Sequence, residues 1–404
     1  MAIELTNGQS KAIKKGKRWY ICRDKQVFEI SGKAGTGKTT VVFTLMQELG
    51  ISIENVLFVT YIGKATLPLR LMGLHAKTIH SACYDIQRVK ALGPDGEPIV
   101  LPNGNIKYTM QFVKRESLPP DILLIVVDEA GMVPKSMAKD LKSFGLPIIT
   151  LGDKRQLDPV FGKPYFLRNP DVDLTEIMRQ AKGDPIIYLA DLAERGKEIK
   201  CGKYGSRCFV TDDSLLKYQH IYTKPDIILC SKNKTREKIN NIVRYDINRY
   251  DSYLPNLGEK MVCRKNNWDE SIGDISLING LFGYVVNTYY DTYNGDTMKI
   301  DFMPECIRDW FDYVPIDLEY LKATHEERKQ LNTMFPKGNL FEYGYACTVH
   351  LSQGSQYGYV MLIDEPMGDN DFMKKVRYTG ITRAKNTLVM VKKKKKIKQS
   401  FFHY

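Results

Sequence analysis

Short apolar, β-branched runs without polar alternation recur along the chain, at residues 27–30, 56–59, 122–127 and 148–151, and again at 227–230, 346–349, 360–363 and 387–391. Such runs predict strands covered on both faces, and the spacing between them leaves room for crossover helices, as a parallel sheet requires. Two sets of strands predict two α/β sheets in tandem. Between them the pattern changes. Residues 92–104 gather Gly, Pro, Asp and Asn round a short apolar centre and predict a projecting, turn-rich hairpin. Residues 256–315 hold short alternating pieces, such as 260–263, 283–286 and 298–301, with turn signals at Asn279-Gly280 and Asn294-Gly295, and predict a small all-β module. Residues 317–335 read as one helix with Asp317 as its N-cap, closed by Pro336 and Gly338.

A length of 404 residues calls for more than one core. The 43% hydrophobic and 26% charged shares point away from a disordered or membrane chain, and the longest apolar run has six residues against the ~18 needed to span a bilayer. Eight scattered cysteines without a C-x-x-C pair remove the usual zinc and thioredoxin readings. Together with an N-terminal stretch lacking a secretory h-region, they lead us to expect reduced, cytoplasmic surroundings, a host cytoplasm if the protein is viral. The balance of 59 Lys+Arg against 47 Asp+Glu gives +12 and suggests a polyanionic partner. Five lysines at 392–396 form one run, which fits either a solvated tail or a binding segment.

The most specific chemistry lies at Gly32-Lys33-Ala34-Gly35-Thr36-Gly37-Lys38-Thr39, a G-x-x-x-x-G-K-[ST] match placed after a strand and before the apolar helix expected over 40–49. Gly35 and Gly37 let backbone N–H groups curl round phosphates, Lys38 suits the β- and γ-phosphates, and Thr39 suits Mg²⁺. Asp128-Glu129 ends the six-residue strand, where ligands of α/β sheets bind. By itself the pair also fits a helix N-terminus that favours negative charge. After a P-loop, Asp128 reads as the Mg²⁺ holder and Glu129 as the group that orients and deprotonates water, so ATP hydrolysis is expected.

Further motifs follow in a set order: Asp128-Glu129-Ala130-Gly131, then Gly152-Asp153-Lys154-Arg155-Gln156-Leu157, then Leu174-Thr175-Glu176-Ile177-Met178-Arg179-Gln180, then 348–355 and 378–384, with Leu5-Thr6-Asn7-Gly8-Gln9 at the start. In this order they resemble the superfamily-1 helicases over nearly the whole chain. Gln156-Leu157-Asp158-Pro159-Val160 is similar to the RecD-like branch, and size and layout are most similar to its compact, Dda-like phage enzymes. The resemblance implies two RecA-like P-loop domains, the first at 1–84 and 117–180 with an inserted pin at 85–116. The second is implied at 181–255 and 341–404, with an SH3-like β module and helical extension inserted at 256–340. It implies 5′-to-3′ movement on single-stranded DNA and unwinding of duplex, in phage or viral replication, recombination or repair. Expected partners are single-stranded DNA, duplex junctions and single-strand-binding or replication proteins, with no membrane and a monomeric chain.

In this frame Gln156 would sense the γ-phosphate, and Arg179 and Arg383 would stabilise its developing charge, although each arginine alone fits an ordinary surface residue. Gln9 would read the adenine edge. Gly32, Thr36 and Thr40 complete the phosphate loop, and Gln356 stands where the family usually has a ribose-binding Glu. Strand contacts are implied at Thr60, Lys64, Thr78, His80 and Thr348, with His80 fitting a core or capping histidine equally. Ile99, Tyr108 and Phe112 are candidates for the pin's tip, or packing residues. An RNA-directed helicase and an NTPase that remodels protein partners without unwinding are the alternative functions.

Overall fold

The computed structural model describes residues 5–92, 95–100, 106, 108–159, 163–176, 183–272, 275–290, 297–331, 333 and 336–393. Helix α1 (Asn7–Cys22) opens on a capping box, in which the Thr6 hydroxyl accepts the Gln9 N–H and the Gln9 side chain accepts the Thr6 N–H. Then come β1 (Val27–Gly32), α2 (Lys38–Leu49), β2 (Val56–Thr60), α3 (Thr66–Leu71), β3 (Ala76–Thr78) and α4 (Ile79–Cys83). A hairpin of β4 (Tyr84–Lys90) and β5 (Tyr108–Lys114) interrupts the sheet, which resumes with β6 (Leu124–Asp128), α5 (Lys135–Ser143), β7 (Ile148–Gly152) and β8 (Val172–Leu174). The order is β3-β2-β6-β7-β1-β8, and every pair is parallel. β2 and β7 are buried at every residue because helices cover both faces, with Val41, Leu45 and Phe58 in one core cluster and Val59, Leu141 and Ile148 in the other. That double cover is why the strand sequences do not alternate.

The second sheet begins after α6 (Pro185–Glu194), which Asp184 caps and a proline at the first position starts. It uses β9 (Gly202–Tyr204), β10 (Cys208–Asp212) and β11 (Ile227–Cys230), followed by α7 (Asn233–Asn241). The chain then leaves for an antiparallel module of β12 (Lys260–Cys263), β13 (Asn267–Ile272), β14 (Ile275–Leu277), β15 (Phe282–Tyr290), β16 (Thr297–Pro304) and β17 (Phe311–Asp317). The short helices α8 (Leu318–Lys322) and α9 (His325–Arg328) and strand β18 (Phe341–Tyr343) close it. β19 (Ala346–Thr348), β20 (Tyr357–Asp364), α10 (Asn370–Ile381) and β21 (Ala384–Lys392) return to the second sheet, ordered β19-β11-β20-β21-β10-β9 and parallel except for β9. The module's main sheet runs β17-β16-β15-β12-β18.

Two expectations need correction. The single helix over 317–335 is two short helices, since Ala323 turns extended (ψ 144°) and Thr324 starts a new capping box with Glu327, a stronger local signal than the continuing helical pattern. Asp317 does cap the first, accepting the Tyr320 N–H at 2.9 Å. The hairpin's arms lie outside 92–104: β4 and β5 pair from Tyr84↔Lys114 to Lys90↔Tyr108, and the described residues beyond them carry the bridges Leu92↔Pro98 and Val100↔Ile106. Phe112, opposite Ile86 near the base, is therefore not at the tip, whereas Ile99 lies beyond the arms. The side chain of Tyr108 falls outside the described residues.

Candidate functional site

β1 ends at Gly32, where an added Cβ would meet the Thr36 Oγ at 2.6 Å and the Lys38 Cγ at 3.0 Å, so only glycine lets the loop fold this tightly. Gly35 (φ 76°) and Gly37 (φ 71°) take left-handed backbone, turning the loop into the start of α2. Lys38 Nζ donates to the carbonyls of Gly32 (2.8 Å) and Lys33 (3.3 Å), lying across the loop on neutral acceptors. Thr36 Oγ donates to the Lys33 carbonyl at 2.8 Å. Thr39 and Thr40 occupy the first turn of α2. Gln9 is fully buried: its Oε1 accepts the Thr6 N–H (2.9 Å) and its Nε2 donates to the Thr36 carbonyl (3.0 Å). It ties α1 to the P-loop and keeps one amide hydrogen for another partner.

At the end of β6, Asp128 Oδ1 accepts the Glu129 N–H at 2.9 Å, and Glu129 sits in left-handed backbone (φ 49°, ψ 40°), a strained state for a non-glycine residue. Burial pushes both carboxyls up, and at Glu129 the Asp128 charge adds to it while Arg383 and Lys38 oppose it. Gln156 carries a buried Oε1 without a hydrogen-bond partner. From the second sheet, Arg383 follows α10 and is held by neutral groups: Nε donates to Thr379 O (3.1 Å), Nη1 to Ser355 O (3.0 Å) and Nη2 to Thr382 Oγ (3.2 Å). Its charge is thus left uncancelled at close range, and burial pulls its pKa down. Lys38, Asp128, Glu129 and Gln156 of the first sheet line one cleft of about 550 Å³ with exposed Gln356 and buried Arg383 of the second. That volume is within the ~300–1,000 Å³ usual for small-molecule sites. Arg179 lies outside the described residues.

The cleft's two walls are joined by groups that spacing alone did not single out. Lys33 pairs with Asp191 (3.1 Å) and Glu194 of α6, while Arg155 bridges Asp153, Asp173 and the same Glu194. The Tyr378 hydroxyl donates to Asp153, Thr379 Oγ accepts the Leu157 N–H (2.9 Å), and Gln353 Nε2 donates to the Leu157 carbonyl (3.0 Å). The available signal was a pair of carboxylates three apart on an otherwise apolar helix, Asp191 and Glu194.

The strand-contact candidates lie at the carboxyl ends of the sheets. Thr60 is in register with both Thr78 and Asp128, and Thr348 with Cys230. Their hydroxyls serve local turns: Thr60 donates to Ile62 O, Thr78 accepts the Ser81 N–H, and Thr348 accepts the Leu351 N–H. His80 stands among Tyr61, Tyr84 and Phe112, with ring centroids 5.8–6.4 Å away, and Phe112 is 51% exposed. Lys64, 8% exposed, donates to the Tyr357 hydroxyl (3.0 Å) and lies 4.2 Å from the Phe282 ring centre, where all three units meet on the lining of the same cleft. Of the lysine run, Lys392 belongs to β21 and donates to Ile199 O, and Lys393 pairs with Glu365; 394–396 lie outside the described residues. Among the described residues no cluster of His, Cys, Asp and Glu could hold a metal by itself, and no helix is long and apolar enough to cross a membrane.

Residues 4–212, more than half of the chain, match a family model described as an AAA domain, and residues 343–391 match one described as a UvrD-like helicase C-terminal domain. The chain therefore belongs to the AAA-domain family, and the two matches in this order make it a member of the superfamily-1 helicases. A Pif1 helicase, in a structure on unwinding at forked double-stranded DNA by two coordinating Pif1 molecules, has a TM-score of 0.55 at 16% identity, over 96% of this chain and 92% of its own. Pif1 from Bacteroides, in complex with ADP-AlF3 and single-stranded DNA, has a TM-score of 0.53 at 16% identity with the same coverages. Both are likenesses of fold. The uncharacterized protein MJ1519 of Methanocaldococcus jannaschii is 25% identical over 90% of this chain, and the chain spans about a third of its length, 36%.

Proposed function

We propose that this chain is an ATP-driven helicase that moves 5′ to 3′ on single-stranded DNA and unwinds duplex. One observation carries the proposal: the cleft faces P-loop and β6 groups of one sheet with Arg383 of the other, so a γ-phosphate would make contacts that exist only when the sheets are closed. Lys38 would bind the β- and γ-phosphates, and the loop at Gly32, Gly35, Thr36, Gly37 and Thr40 would enclose them. Glu129 would take the proton of the attacking water, while Gln156, with its unpartnered Oε1, would position that water or sense the γ-phosphate. Arg383 and Arg179 would stabilise the developing charge, an effect worth ~10³–10⁵ in rate. Gln9 has one amide hydrogen for a base edge, and Gln356 stands where the ribose would lie.

Thr39 and Asp128 suit Mg²⁺, since burial raises Asp128 and only a backbone amide and the Lys38 charge oppose it. When bound, the ion would screen the phosphate charge. Two structures of Bacteroides Pif1 hold single-stranded DNA, one of them with ADP-AlF3, which supports DNA and nucleotide as ligands here. The His80, Tyr61, Tyr84 and Phe112 rings at the hairpin's base supply a stacking surface, which single-strand binders use with polar backbone contacts. The hairpin would act as the pin and the β module, SH3-like in the expected layout, as its support. Separation costs only ~1.4 kcal/mol per base-pair step, within the reach of so small a wedge.

The test is unwinding of duplexes carrying a 5′ or a 3′ tail, with ATPase stimulation measured for single-stranded DNA and RNA. Activity on the 5′ tail and stimulation by DNA are expected. Unwinding confined to the 3′ tail overturns the polarity, and stimulation by RNA alone or by neither overturns the DNA assignment.

A further inference from the structure

Helices α7, α8 and α9 and strand β18 surround a second cavity of about 180 Å³, which shares no lining residue with the nucleotide cleft. Its wall includes Arg236, Glu237, Lys322, Arg328 and Glu342. Glu342 is a shared counter-ion: one oxygen is paired to Arg236 Nη1, and the other lies 3.3 Å from both Arg328 Nη1 and Arg264 Nε and accepts the Tyr320 hydroxyl. Glu237 compensates poorly, since its Oε1 already accepts the His325 N–H and stands 3.9 Å from Arg236 Nη2 and 3.8 Å from Arg328 Nη1. Three guanidiniums therefore share two carboxylates, and Lys322 adds a fourth cation to the wall, its ammonium 5.5 Å from the Tyr253 ring centre.

Buried N–H groups without a hydrogen-bond partner remain at Nε and Nη1 of Arg264, off the cavity wall, and at Arg236, on it. Arg236 is 3% exposed, and its Nε and Nη2 make no hydrogen bond. Those two N–H groups point the same way and form the edge with which a guanidinium grips an oxyanion bidentately. Buried donors left unmatched are costly, and charged ones more so. The size of the cavity narrows the ligand. It falls below the ~300–1,000 Å³ of sites for organic ligands, which favours a small anion.

We propose that this cavity binds one phosphate-class oxyanion on the Nε/Nη2 edge of Arg236, with Lys322 and Arg328 completing the charge. The ion joins α7 of the second sheet unit to α8 and α9 of the β module. Free phosphate and a phosphate of a nucleic-acid backbone share this chemistry.

Calorimetric titration of inorganic phosphate into the full chain at fixed ionic strength, compared with Arg236→Met and Lys322→Ala, reads the site by difference, because any P-loop affinity is common to all three. The wild type is expected to take up one more phosphate per chain than Arg236→Met, and Lys322→Ala, at an exposed position, to weaken that uptake several-fold. Oligo-dT distinguishes the sources. An affinity about tenfold lower for Arg236→Met, with free phosphate competing, assigns the anion to the strand backbone; unchanged oligo-dT affinity with the phosphate difference present assigns it to the free ion. Equal phosphate uptake and equal oligo-dT affinity in all three proteins overturn the proposal, water then meeting the edge. If Arg236→Met does not fold, unchanged affinities in Lys322→Ala overturn it.

Discussion

Asp128 and Glu129 stand side by side at the end of a buried strand, and burial raises both carboxyls, with the Asp128 charge adding to the rise at Glu129. A raised carboxyl keeps its proton to higher pH, so a base of this kind is lost earlier on acidification than an ordinary glutamate near 4.5. ATPase activity measured from pH 5 to 8 should therefore show an acid limb above that value. Glu129→Gln should still bind ATP and lower turnover by ~10²–10⁴, with the limb lost; near-normal turnover would remove Glu129 as the base. At this scale the P-loop and the Asp-Glu pair were legible because their chemistry is tied to local spacing and to strand ends. Arg236 was not, because its unmet N–H edge exists only relative to Glu342, more than a hundred residues away.

At the scale of elements, the best-buried ion pair among the described residues stands just beyond α7: Arg244, in a π-helical turn at Ile242–Ile247, with Glu259, next to β12 of the module. Arg244 Nε donates to Glu259 Oε1 at 2.7 Å, Nη2 donates to the Leu254 carbonyl at 2.9 Å, and the guanidinium lies 3.7 Å from the Tyr343 ring centre. Removing one partner leaves the other charged and buried, so Arg244→Met should destabilise the fold by roughly 3–5 kcal/mol. Urea unfolding measures this, and a loss near zero would mean that water reaches Glu259. Strands buried on both faces were readable as elements because their apolar runs are unbroken. The two short helices at 318–328 were not, because a helical pattern does not reveal where a capping box restarts the chain.

In the whole molecule, Lys64 shows how the three units depend on each other. Set against Tyr357 of the second sheet and Phe282 of the module, it is buried enough to pull its pKa from 10.5 to about 8. A lysine lowered in this way disfavours folding while charged and is relieved as pH rises from 8 towards 10.5, because the unfolded chain still holds the proton there. At roughly 1.4 kcal/mol per pH unit the relief is on the order of 3 kcal/mol. The stability of the wild type relative to Lys64→Met should rise by about that amount across this window; a flat difference would mean that Lys64 is hydrated. By itself the sequence determined the two strand sets, the phosphate loop and the order of motifs, because these depend on neighbours along the chain and on the period of each element. Only the tertiary structure decided that Arg383 and Glu129 line one cleft, that Lys33 and Arg155 pair with α6, and that Lys64 is enclosed beside Tyr357 and Phe282. The physical reason is that burial and Coulomb energy depend on distance in space, and these partners lie tens to hundreds of residues apart along the chain.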